Sequence, residues 1–77
     1  MNKIRRKTLT GIYDQLAELK EKLEEINEAE QESFSNRPEN FRESEDYEVA
    51  EEVANNLEEA CSSFGDLMDY LENVITA

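Results

Sequence analysis

Histidine and tryptophan are absent from this 77-residue chain, and cysteine and proline occur once each. Without histidine the chain lacks the commonest general base and the commonest metal ligand. No Ser–His or Cys–His pair and no common metal triad can be assembled. Two glycines are too few for a loop that cradles phosphate. The lone Cys61 has no disulfide partner within the chain, and it lies on the apolar face of a predicted helix. A thiol there acts as a small hydrophobe, and the acidic side chains near it in sequence are not the electropositive surroundings of a reactive thiolate. Carboxylate pairs such as Glu51–Glu52 and Glu58–Glu59 lack the Asx-rich loop with a central glycine that a calcium site needs. The chain is therefore read as non-enzymatic, with no catalytic residue, cofactor or metal.

Long apolar runs are missing too. Met1 to Lys7 is basic, but no apolar stretch of secretory type follows it, and nothing approaches the roughly 18 apolar residues of a membrane span. A soluble cytoplasmic protein is expected, and the single cysteine fits a reducing compartment.

What the chain has in quantity is acid. Its net charge is −12, from 20 acidic and 8 basic residues. Residues 1–22 hold six basic and three acidic side chains, and residues 23–77 hold two basic and seventeen acidic ones. Such an acidic bulk repels nucleic acid and anionic membrane, so direct binding to either is not expected.

The acid is laid over heptads. Ala50, Val53, Leu57, Ala60, Phe64, Leu67, Leu71 and Val74 recur at alternating spacings of three and four, a coiled-coil pattern. A parallel row, Tyr47, Ala54, Cys61, Met68 and Ile75, repeats every seven residues. With Ala50 at position a, the apolar rows are a, d and e, wider than a two-row seam. Upstream, Leu9, Ile12, Leu16, Leu19, Leu23 and Ile26 follow the same spacing, and Tyr13 widens the face. Between the two segments, Ser33 to Asn40 breaks the pattern around Pro38. Proline disfavours helix at the residue before it, and asparagine and serine favour turns.

The fold class expected is all-α: an antiparallel two-helix hairpin, coiled-coil-like, filling a single domain over residues 1–77. The helices are placed at about 3–33 and 44–76 and the turn at about 34–43, with Asn2 or Thr8 capping the first helix and Ser44 the second. Folding about Pro38 pairs Ile26 with Val53, Leu23 with Leu57, Leu16 with Phe64 and Leu9 with Leu71. The a and d rows are expected to form the seam. The third row would then remain outside as a partner or oligomer interface of Tyr13, Tyr47, Ala54, Cys61, Met68 and Ile75. Pairing two hairpins about a two-fold axis would bury that strip in a homodimeric four-helix bundle. The alternatives are a monomer that reserves the strip for a foreign protein, or a larger ring.

Two charged features are further candidates. Lys3, Arg5, Arg6 and Lys7 form a basic tip at a helix N-terminus, where an anion such as a nucleotide phosphate could be held. The competing reading pairs them with Asp66, Asp69 and Glu72. The acidic rod as a whole could imitate DNA toward a DNA-binding protein, or simply confer solubility.

The basic start Arg5-Arg6-Lys7, the leucine heptads, the turn Asn36-Arg37-Pro38-Glu39 and the acidic leucine/alanine helix after Ser44 resemble a group of short uncharacterised acidic helical proteins. That group is found in phages and mobile elements of Gram-positive bacteria. The chain departs from it at Phe41-Arg42-Glu43, where the group carries a leucine and a polar residue. The resemblance implies an accessory protein that binds and modulates a host protein, or one that sequesters a nucleotide signal of host defence.

Overall fold

The structure, a computed structural model, describes residues 1–38 and 45–77. Two helices pack against each other as a hairpin: α1, Lys3–Ser35, and α2, Glu45–Thr76. Ser44 and Phe41 lie outside the described residues. The Cα envelope measures 58 × 15 × 13 Å, a rod one helix pair thick.

Asn2 starts α1. Its Oδ1 accepts the Arg5 backbone N–H at 2.8 Å, which satisfies one of the free amides of the first turn, and its carbonyl accepts the first regular helix bond from the Arg6 N–H at 3.1 Å. Thr8 lies inside the helix, its hydroxyl donating back to the Ile4 carbonyl. The helix continues past Glu30. Gln31 and Phe34 carry the inward face on to Ser35, and the Asn36 N–H then donates to the Glu32 carbonyl. Phe34 and Tyr47 close the turn end, with ring centroids 5.4 Å apart.

The seam is not built from the a and d rows. On α2 the residues turned toward α1 are Ala50, Leu57, Phe64 and Leu71 of row a, and Tyr47, Ala54, Cys61, Met68 and Ile75 of row e. Ala54 and Met68 are the buried apolar residues, at 4% and 8% exposure. On α1, with Leu9 as a, the same two rows face inward: Leu9, Leu16 and Leu23, together with Arg6, Tyr13, Lys20, Asn27 and Phe34. Both helices are thus rotated from the expected seam toward row e. Row d is left outside, with Ile12, Leu19 and Ile26 at 42%, 53% and 56% exposure.

The rotation is tolerated because the polar residues of row e on α1 find partners. Asn27, 9% exposed, donates from Nδ2 to Glu58 Oε2 at 2.9 Å. Gln31 Nε2 donates to the Ala54 carbonyl at 2.7 Å and to Asn27 Oδ1 at 3.1 Å. Lys20 lays its aliphatic stem over Gly65, where a Cβ would sit 3.6 Å from Lys20 Cε, and its ammonium turns out to Glu24. A long cationic side chain can cover apolar surface while its head stays in water.

Candidate interaction face and basic tip

Rows a and e meet across the seam in both helices, so row d lies on the same rotational side of the seam in each. Reversing the direction of one helix in an antiparallel pair brings those two like-named rows onto one side of the hairpin. Ile12, Leu19 and Ile26 from α1 therefore share a face with Val53, Leu67 and Val74 from α2, which are 44%, 47% and 41% exposed. The mirror-image side carries row b, with Glu24 and Gln31 from α1 and Glu51, Glu58 and Glu72 from α2. The hairpin is apolar on one flat side and acidic on the other.

This placement corrects the expected interface. Tyr13, Tyr47, Ala54, Cys61, Met68 and Ile75 are the inner lining of the hairpin; of the three apolar rows only row d is presented outward, while Ile4, Val49 and Tyr70, outside those rows, are exposed as well. Row d is the more apolar of the two flanking rows on α1, which is why spacing alone assigned it to the seam. The signal that distinguishes the rows is on α2. Row e there places the small Ala54 and Cys61 in its middle, opposite the stretch of α1 that carries Lys20 and Asn27, whereas row d offers Val53, Leu67 and Val74 with only Ala60 small.

The four basic residues of the tip do not all converge: Lys3, Arg6 and Lys7 share a groove and Arg5 lies apart from it. Arg6 folds toward the end of α2, where its Nη2 donates to the Ala77 carbonyl at 2.9 Å and its buried Nε meets no acceptor. Lys3 and Lys7 share one shallow groove with Arg6 and Thr10. Arg5 lines a different groove with Met1, Ile4, Thr8 and Leu9. Among the described residues none of the four forms an ion pair with Asp66, Asp69 or Glu72. The pairing present is Lys20 with Glu24, one helical turn apart. The hydrogen bond to the Glu24 carboxylate, and then its charge, raise the Lys20 ammonium above its ordinary pKa.

Gly11 has open space around its Cα, so no close neighbour requires it. Among the described residues no group of acidic or sulfur side chains could hold a metal ion, and no helix is long and apolar enough to cross a membrane. No family model matches the chain, and no curated protein or solved structure matches it.

Proposed function

We propose that this chain is a non-enzymatic protein-interaction module acting in the cytoplasm through the flat apolar face of its hairpin. Its role would be that of a small accessory protein of a phage or mobile element, which binds and modulates a host protein. One observation carries the reading: six mid-sized apolar residues stand exposed on one side of a rod whose other side is acidic. Apolar surface gathered on a single face of a short chain marks association. The acidic remainder would steer the approach of a cationic partner and discourage nucleic acid.

A second reading, sequestration of an anionic nucleotide at the basic tip, has one point in its favour: the buried Arg6 Nε lacks an acceptor. Against it, the Asn2 cap already occupies the Arg5 amide and Arg5 points away from Lys3 and Lys7.

Affinity capture from host lysate with three baits separates the readings. The baits are the unaltered chain, a face variant (Leu19→Glu with Leu67→Glu), and a tip variant (Lys3→Glu with Lys7→Glu). The expected result is a stoichiometric protein held by the first and third baits and lost from the second. A released nucleotide that only the tip variant loses would move the function to the tip.

A further inference from the structure

We propose that the apolar face is covered by a second copy of this chain, packed face to face with its turn at the opposite end of the bundle. The inference rests on the reading of that face as an association surface and adds its occupant and direction; a host protein would then be held by the assembled dimer, so that losing the face loses the captured protein as well.

The first argument is area. The hairpin exposes 6231 Å², whereas a compact monomer of its mass exposes about 4,900 Å². The face, 58 Å long and 15 Å wide by the Cα envelope, matches the roughly 800 Å² per partner of a stable interface. The second argument is symmetry. The exposed residues of row d on α1 are centred on Leu19, the midpoint of Lys3–Ser35, and those on α2 straddle the same level of the rod. A two-fold axis through that level, perpendicular to the rod, lays each apolar block on its own copy.

Charge selects the direction. Residues 24–59, the turn half of the rod, hold fourteen acidic and two basic side chains, and the remaining residues hold six of each. The whole net charge of −12 therefore sits at the turn end, and the open half is neutral. Turns at the same end would stack two such halves within about 10 Å, the screening length at 0.1 M salt. Opposed turns set each acidic half over the neutral half that carries Lys3, Arg5 and Lys7. A foreign partner would have to present a flat apolar face and, over the acidic half, an end without net negative charge. A second copy supplies both by symmetry.

Sedimentation across a dilution series, combined with spin-label distances, tests this. The expected mass is that of two chains, falling to one in the Leu19→Glu, Leu67→Glu variant with its helical circular dichroism kept. If that variant unfolds, Leu19→Gln with Leu67→Gln takes its place. Labels on Ser35→Cys in a Cys61→Ala background should sit about 48 Å apart with opposed turns, and under about 20 Å with turns together. A short distance overturns the direction. A dimer that survives the face variants overturns the surface. A chain monomeric throughout the series overturns self-pairing, and the capture experiment then decides the broader reading separately: it stands if the face variant still loses the captured protein and falls if it does not.

Discussion

Leu67 and Met68 are neighbours in sequence and opposite in role, and exchanging each for alanine gives the sharpest check on the rotated seam. Met68 is 8% exposed and Leu67 is 47% exposed. Met68→Ala removes a nearly buried side chain, and in a seam with few other buried groups the cost should fall near the low end of the range for such truncations, about 2 kcal/mol. For 77 residues the unfolding entropy is about 0.16 kcal/mol/K, so Tm should drop by about 12 °C. Leu67→Ala removes three carbons that are about half buried, about 1.2 kcal/mol within one hairpin. The exposed remainder of Leu67 adds about 1 kcal/mol per chain in the proposed dimer, or about 2 for the pair, which weakens association about thirtyfold. Thermal unfolding at several concentrations separates the two. The Met68→Ala deficit should persist on dilution, whereas the Leu67→Ala deficit should shrink as the protein becomes monomeric. A Leu67 effect that equals or exceeds the Met68 effect in dilute protein would refute the rotated seam.

Four further outcomes are expected. Gly11→Ala, in open space within α1, should raise stability by up to about 1 kcal/mol, read as a higher denaturant midpoint at unchanged slope. Asn2→Ala deletes the acceptor of the Arg5 amide and should lower stability by about 1 kcal/mol, with the loss of helicity confined to the first turn by amide exchange. Asn27→Ala leaves Gln31 with one acceptor fewer and Glu58 without its donor, and should cost about 1–2 kcal/mol; Asn27→Leu should restore Tm but broaden the amide spectrum as the register loses its polar marker. Raising salt should raise Tm, because repulsion within the acidic half is screened; a fall would mean that attractive ion pairs dominate.

The helices and their pairing were legible because heptads report the apolar side of a helix directly, and because one proline-centred break left a single place to turn. The rotation about each helix axis was not. Three adjacent apolar rows on α2 allow two choices of seam, and the heptad spacing of rows a and d favours the one without Lys20 and Asn27. That preference treats a charged or amide side chain as outward by default. It fails where a lysine stem can lie along Gly65 and an asparagine can reach Glu58, since neither then leaves a polar atom stranded. The anion reading of the tip faltered for a related reason. Arg5, Arg6 and Lys7 are adjacent in sequence and spread around the helix by 100° each, so the three do not share one face, and the groove at the tip holds Lys3, Arg6 and Lys7 without Arg5.

The cross-helix bonds from Asn27 and Gln31 both fall on one turn of α2, between Ala54 and Glu58. At the open end the helices are tied by the bond from Arg6 to the Ala77 carbonyl, and between the two ties lie side chains that can slide or roll over one another. The polar clasp at Asn27 and Gln31, nearer the turn than the open end, makes the hairpin a pair of tongs pinned close to its closed end. Thermal opening then runs toward the free ends, and the first contacts to part are those of Arg6 with Ala77. A partner that wedges the helices apart would find its entry there, farthest from the pin, and would lever against Asn27 and Gln31 before reaching the turn.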